Sequence, residues 1–388
     1  MNKGVKPLRI AVVFTLGISA GQWQKAGILK REMAIYKRLS RRDARIHLLS
    51  YGGANDQRIS RNLPKNLSIH PLNDGPIEET GGPICAIKGS VVLPLKHREI
   101  LKKCDLIKTN QMMGAWSAIA MKALYGGKLL MRSGYTWSRI VERETENPIK
   151  RALASVTERV AYGYADGIIT TIEDDMDYIL NRYSPRCPTA VIPNYVDCDV
   201  FRPMKDKRKR GTICFVGRLD PIKNLDALIR SLAGLPYSLT IIGDGIEEDH
   251  LRKLATSLEV DVRFLGTVPN EKLPELINQH QAFVIPSKYE GMPKVLLESM
   301  ACGMPILGSD VNNINKIIKD GGNGIISRTD PSSLREGILK LMENNDLGDR
   351  LGEAARRDAL EKYSLDSVAE REVEFYKLVL GRDCSWTG

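Results

Sequence analysis

Ser287-Lys-Tyr-Glu290-Gly291-Met292-Pro293-Lys294-Val295-Leu-Leu-Glu298-Ser-Met-Ala-Cys-Gly303-Met-Pro305-Ile306 is the stretch around which the rest of the chain is organised. The apolar run before it, Ala282 to Ile285, has the length and composition of a buried strand. Val295, Leu296, Leu297 and Met300 fall at the spacing of an amphipathic helix. Between them lies a tight polar turn. Gly291 permits the turn, Pro293 suits the first helical position because its missing N–H is not needed there, and Gly303 is placed to close the helix. A strand that delivers a glycine turn into a helix leaves free N–H groups aimed at one spot, with the positive end of the helix dipole behind them. That combination is an anion site suited to phosphate.

The two carboxylates add detail. Glu290 lies in the turn and Glu298 eight positions on, inside the helix. The first can touch a group at the helix mouth and the second a group farther along its flank. A nucleotide sugar has that layout, with hydroxyls at both ends and a diphosphate between. The plain alternative is a solvated helix face on which Glu298 pairs with Lys294 for a few tenths of a kcal/mol, about 0.2–0.5.

A second turn carries cations. Ile213 to Val216 reads as a strand, followed by Gly217-Arg218-Leu-Asp-Pro-Ile-Lys223-Asn224 and a helix to about Leu232. Arg218 offers a planar fork and Lys223 a point charge, and both can converge on one diphosphate. Together the two stretches resemble the retaining nucleotide-sugar glycosyltransferases of family 4, the glycosyl transferases group 1. The resemblance rests on Glu-Gly-x-Pro-x-x-x-x-Glu followed by Gly-x-Pro, and on Gly-Arg-x-x-x-x-Lys-Asn.

It implies an α/β fold of the GT-B type, two Rossmann-like doubly wound domains facing a central cleft. The expected division is 1–200 for an acceptor-binding domain, 201–365 for a nucleotide-sugar-binding domain, and 366–388 for a helix crossing back to the first. It also implies roles. Glu290 contacts sugar hydroxyls and Glu298 the ribose, while Arg218 and Lys223 hold the diphosphate. Gly217, Gly291, Met292, Lys294 and Val295 belong to the donor site, and Gly266, Thr267 and Val268 hold the base. On the acceptor side the candidates are Gly17 and Gly21 in the first loop, with Arg132, Ser133 and Tyr135 beyond a later strand. No histidine is available in that later segment. The expected co-substrate is a UDP- or GDP-sugar, with no cofactor and no metal. The expected partner is a glycan or lipid-linked acceptor in cell-surface polysaccharide or glycoconjugate synthesis. A sugar phosphorylase, a nucleotide-sugar epimerase and a non-catalytic nucleotide-binding subunit are the rival readings.

Composition sets bounds on these readings. The 388 residues suit two domains of ordinary size. Lys+Arg 57 against Asp+Glu 47 gives +10, a balance that favours anionic phosphates or an acidic membrane surface. Aromatic content of 6% and no zinc-finger or RNA-binding signature argue against nucleic acid. Seven cysteines at 85, 104, 187, 198, 214, 302 and 384 form no Cys-x-x-Cys pair and read as reduced thiols of a cytoplasmic protein. The N-terminus lacks a signal-peptide core, and no window approaches ~18 apolar residues, so any membrane contact is expected to be peripheral at the inner face. Lys30, Arg31, Lys37, Arg38, Arg41, Arg42 and Arg45 form a basic run that is either a solvated face or a contact for anionic lipid.

From the start of the chain, Leu8 to Phe14 reads as a strand, Thr15 to Gly21 as a flexible turn, and Trp23 to Leu39 as one helix. Further strands are expected at 46–51, 67–71, 91–93, 105–109 and 128–132, and 149–162 reads as an amphipathic helix. The first loop lacks Gly-x-Gly-x-x-Gly spacing, which argues against NAD. Thr170, Thr171 and Glu173 read as capping residues, with lining of the cleft as the alternative. Asp197-Cys-Asp199 follows a Pro-Asn turn, which argues against a metal site, and Pro203 to Arg210 reads as a charged linker.

Overall fold

The computed structural model describes residues 7–41, 44–74, 82–204 and 207–381. The expectations that rest on Arg42, Lys205 and Cys384 lie outside them. The chain divides into two units, Met1–Pro193 with Ala369–Gly388, and Asn194–Val368.

In the first unit the strands are β1 (Leu8–Val13), β2 (Ala44–Ser50), β3 (Leu67–Pro71), β4 (Leu106–Thr109), β5 (Lys128–Ser133), β6 (Gly167–Thr170) and β7 (Thr189–Val191). They form one sheet in the order β3-β2-β1-β4-β5-β6-β7, and every pairing is parallel. Parallel strands need helical crossovers that cover both faces, so their side chains are buried on both sides. Ile10, Val12, Ile46, Leu48, Ile107 and Leu130 are all buried.

The second unit repeats the scheme with β8 (Lys209–Val216), β9 (Ser238–Ile242), β10 (Val262–Phe264), β11 (His280–Ile285), β12 (Ile306–Ser309) and β13 (Ile325–Ser327). The order is β10-β9-β8-β11-β12-β13, again all parallel. Its core packs Ile213, Phe215, Leu228, Ile241, Val284 and Leu307. In each sheet the strand order reverses once, between β1 and β4 and between β8 and β11. In open α/β sheets such a switch point opens a crevice at the carboxyl ends of the strands, where ligands bind.

Four local expectations are corrected. The helix read over Trp23 to Leu39 is two, Ala20–Lys25 and Leu29–Ser40, separated where Gly27 takes a φ of 67°. The turn before it is not loose, because Ser19 and Gln22 form a reciprocal capping box. The strand read at 91–93 is part of a helix, Gly82–Lys96. Gly89 and Leu93 are buried while Val91 and Val92 are exposed, so a helical period overrides the β-branched pair. Thr170, Thr171 and Glu173 cap nothing with their side chains: Ile172 occupies the N-cap, Thr170 donates to the Ile172 carbonyl and Thr171 to that of Gly134.

Candidate donor site in the second unit

Both decisive turns leave the sheet at its switch point. β8 ends at Val216 and runs into Gly217-Arg218, while β11 ends at Ile285 and runs into Pro286 to Pro293. The helix Lys294–Ala301 follows, with Pro293 as its N-cap and no side-chain cap. Pro293 therefore sits one place outside the helix, at φ −70° and ψ 116°. Its fixed φ turns the chain into the helix, and the first-turn N–H groups are left to whatever lies before them. Gly303, at φ 63°, closes the helix in the left-handed conformation.

The two turns are tied together by side chains. Lys223 Nζ donates to Glu290 Oε1 at 2.6 Å, and Ser287 Oγ donates to the same oxygen at 2.7 Å. Asn224, at φ 57°, donates from Nδ2 to the carbonyls of Pro286 at 3.1 Å and Thr329 at 2.8 Å. Asn313 Nδ2 holds the Glu290 carbonyl at 2.9 Å, and Lys288 N donates to the Ile222 carbonyl at 2.8 Å. Glu290 and Lys223 thus form a largely buried ion pair, with side chains 10% and 18% exposed. A charge-assisted bond of this length in a desolvated place fixes the ammonium far better than a surface pair does.

Arg218 behaves differently. Its side chain is 82% exposed and pairs with Asp220 at 3.4 Å, so the structure does not bring it to Lys223 and Glu290. Glu298 is buried and accepts from Asn270 Nδ2 at 2.9 Å. Lys294 lies with its Nζ 5.7 Å from the centroid of the Tyr195 ring. Met292 is buried, with its carbonyl and sulfur accepting from Asn194. Asn270 follows Gly266-Thr267-Val268 and carries that loop to the helix flank, so the Glu298 carboxylate and the loop after β10 are joined. Gly266 has a φ of 66°, and its carbonyl accepts from Gly243 N at 2.8 Å.

Glycine is required where the turns after β8 and β9 press together. Gly217 N donates to the Ile242 carbonyl at 2.9 Å. A Cβ on Gly243 would stand 1.9 Å from the Gly217 carbonyl oxygen. The missing side chain lets the two turns share one wall.

The acceptor-side candidates lie in the first unit. Gly21 is inside the helix Ala20–Lys25, and its N–H donates to Asp56 Oδ1 at 2.8 Å. The other Asp56 oxygen accepts from Ala20 N and Ser50 Oγ. Gly21 is therefore a close-packing position and not a flexible one, while Gly17, at φ 77°, makes the turn. Ser133 is buried and donates to the Tyr135 carbonyl, and Gly134 N is held by Gln111. Tyr135 is exposed. Arg132 lies beside a buried trio in which Lys108 Nζ donates to Glu372 Oε2 at 2.5 Å and to Tyr376 Oη at 2.8 Å. Burial drives the Lys108 ammonium down to about 8, against the pull of Glu372 and with the push of Arg132. Burial alone would raise the Glu372 carboxyl, but Lys108 and Arg132 outweigh it and hold it below its ordinary value.

Sequence reasoning singled out none of Asn194, Asn270, Asn313 and Asp56, and held Asn224 only as the end of the Gly-Arg-x-x-x-x-Lys-Asn motif, with no role of its own. Asn224 carried a signal, since an asparagine between a 3₁₀ turn and a helix suits a left-handed residue. The others bond to partners far along the chain and left no local trace.

Comparison with known proteins supports the same part of the chain. Residues 200–358 match the family described as Glycosyl transferases group 1. A relative described as an uncharacterised glycosyltransferase of Methanocaldococcus jannaschii is 35% identical over 175 residues, 43% of this chain and 45% of that protein. The match thus spans less than half the length of that relative. A D-inositol 3-phosphate glycosyltransferase of Salinispora arenicola is 24% identical over 89% of this chain and 85% of its own. Among solved structures, Anabaena HepE in complex with UDP superposes with a TM-score of 0.75 at 17% identity, covering 95% of this chain and all of that one. With two parallel sheets of this order, the fold is the two-unit GT-B type.

Proposed function

We propose, from a chain whose residues 200–358 form a Glycosyl transferases group 1 domain on a GT-B fold, that the protein is a retaining glycosyltransferase. In this reading it moves a sugar from a UDP- or GDP-sugar, held in the second unit, to a glycan or lipid-linked acceptor held by the first. Its place is the synthesis of cell-surface polysaccharide or glycoconjugate. The observation that carries the reading is the 2.6 Å Lys223–Glu290 pair at the β8/β11 switch point, beneath an uncapped helix N-terminus. A fixed ammonium and converging N–H groups suit a diphosphate, and an adjacent carboxylate suits sugar hydroxyls.

The chemistry follows from where charge develops. The bond between the anomeric carbon and the diphosphate oxygen breaks, negative charge gathers on the leaving phosphate, and an oxocarbenium-like centre forms. Lys223, Arg218 and the Lys294–Ala301 helix N-terminus stabilise that charge, so the reading needs no metal. The acceptor hydroxyl attacks the same face and passes its proton to the departing phosphate oxygen, which gives retention without a covalent protein intermediate. Glu290 orients the sugar through the oxygen that Lys223 and Ser287 do not occupy. Glu298, steadied by Asn270, meets the ribose, and the Gly266-Thr267-Val268 backbone meets the base.

A thermal-shift series with UDP, GDP and ADP tests the donor, since a ligand that binds only the folded state raises the melting temperature with concentration. UDP is the first expectation, because the Anabaena HepE structure holds it. The reading requires that UDP or GDP stabilise the wild type and lose that effect in Lys223→Ala. Stabilisation by neither nucleotide, or an undiminished effect in the variant, overturns it.

A further inference from the structure

The helix Pro148–Tyr164 in the first unit is amphipathic in the inverted sense. Its inner face buries a carboxylate: Glu158 is fully buried, accepts from Ser138 Oγ at 2.6 Å and from Tyr183 Oη at 2.8 Å, and lies near buried Thr157 and Tyr162. Its outer face is apolar. Ile149, Leu153, Val156 and Tyr164 recur at helical spacing along one stripe, and each is more than half exposed. The neighbouring helix Ala115–Tyr125 is tied to the end of this one where Lys122 Nζ donates to the Tyr164 carbonyl at 2.7 Å. Single exposed apolar residues are ordinary on a protein surface, but a continuous stripe of them marks a contact.

Charge selects the occupant. Glu158 is the helix's one acid and it is inside, so the charges that the helix itself offers beside the stripe are basic, with exposed Glu146 lying just before its N-cap. Exposed Lys150 and Arg159 flank the stripe on opposite sides. An anionic bilayer meets both features, taking the apolar stripe into the acyl boundary and the cations into the headgroups. The basic run on the helix Leu29–Ser40 lacks the apolar half of this arrangement, since Met33, Ile35, Tyr36 and Leu39 all turn inward.

We infer that the protein docks on anionic lipid through the outer face of the helix Pro148–Tyr164, with Ile149, Leu153, Val156 and Tyr164 entering the interface and Lys150 and Arg159 holding the headgroups. This surface is read from exposure and charge alone and does not depend on the proposed transfer reaction. The test therefore uses no donor and no acceptor. Full-length protein is sedimented with vesicles of phosphatidylcholine, with and without about 30% phosphatidylglycerol.

The expected result is binding to the anionic vesicles that weakens in high salt. Leu153→Glu lowers the partition at least tenfold, and Lys150→Gln with Arg159→Gln lowers it by a similar factor, at about fivefold per charge removed. A Lys30→Gln, Lys37→Gln variant binds as the wild type does. Because the altered side chains are on the surface, melting curves of all variants should match. The inference is overturned if anionic vesicles are not bound, if Leu153→Glu binds unchanged, or if the first-helix variant alone loses binding. A concentration-dependent dimer that Leu153→Glu abolishes would assign the face to a second copy instead.

Discussion

Lys223→Ala and Glu290→Gln, singly and together, probe the pair on which the proposed donor site depends. Breaking a fully buried ion pair costs about 3–5 kcal/mol, and an exposed one about 0–1 kcal/mol. Here the side chains are 18% and 10% exposed, so the pair lies nearer the buried case. Glu290 keeps Ser287 and the helix N-terminus when Lys223 is removed, which brings the expected cost of Lys223→Ala to about 2 kcal/mol. Glu290→Gln leaves an ammonium on a long stem that can reach water, at about 1 kcal/mol. The double variant should lose about 2 kcal/mol, which leaves a coupling of about 1 kcal/mol. For a unit of this size, about 2 kcal/mol is a fall of about 4–8 °C in the second unit's melting temperature. Transfer is assayed in parallel with the nucleotide sugar that the thermal-shift series selects, and each single variant should lose at least about a hundredfold in rate. Stability losses that simply add in the double variant would show that the two groups do not interact. Wild-type transfer in either single variant would refute the assignment outright.

Other expectations follow from particular contacts. Gly243→Ala should cost at least about 2 kcal/mol in denaturant unfolding of the second unit, because its Cβ would meet the Gly217 carbonyl at 1.9 Å and φ is 136°; Gly266→Ala, with open space and φ 66°, should cost only about 1 kcal/mol. Lys108→Met strands the Glu372 carboxylate among buried groups and should lower the first unit's stability by about 3 kcal/mol in thermal unfolding, the low end of the range because Arg132 remains close. Burial holds His47 and His70 near 4, with Arg9 and Arg45 adding to the effect at His47 and the neighbouring imidazoles at His70, so both stay neutral in the fold and protonate in the unfolded chain below about 6.5. Stability should therefore be full above pH 6.5 and fall by about 2 kcal/mol for the pair as pH drops toward 4, after allowance for partial exposure. Melting temperatures of the wild type and of His47→Gln, His70→Asn across that range should diverge accordingly, and parallel curves would contradict the origin given.

How much of this was legible in the sequence depends on the range of the interaction. The strand, glycine turn and helix around Glu290 could be read because each depends on local backbone chemistry: Gly291 for the turn, Pro293 for the bend, Gly303 for the left-handed close. The placing of Pro293 slipped by one residue because proline's fixed φ suits the N-cap as well as the position after it. The strand expected at 91–93 failed because Val91 and Val92 carry strand propensity while Gly89 and Leu93 carry helical burial, and packing decided between them. The contacts of Asn224 and Asn270 were hidden because they join loops that meet only when the sheet has formed, Asn224 to Pro286 and Thr329, Asn270 to Glu298. The 149–162 stretch was readable as an amphipathic helix, but not which face it buries. A helix that keeps its one acid inside reverses the usual inference from polarity to exposure.

Under the proposed function, Lys223 and Arg218 show why two cations assigned to one diphosphate need not be prepared alike. Lys223 is held by Glu290 in the fold itself, so its rotamer entropy is already spent in folding, and in the proposed reaction its charge would act on the leaving group without further ordering. Arg218 extends into solvent with a 3.4 Å partner in Asp220, and ordering it on a phosphate costs up to about 2 kcal/mol of side-chain entropy. Under the proposed function that cost is met only when a diphosphate is present to accept its fork. Arg218 therefore contributes to discrimination between a ligand that offers two phosphates and one that offers a single phosphate. Arg218→Lys should then weaken UDP far more than UMP, whereas Lys223→Ala should weaken both, and titration of the two nucleotides against each variant separates the roles. Equal losses for UDP and UMP in Arg218→Lys would mean that the exposed guanidinium does no more than add to the net charge.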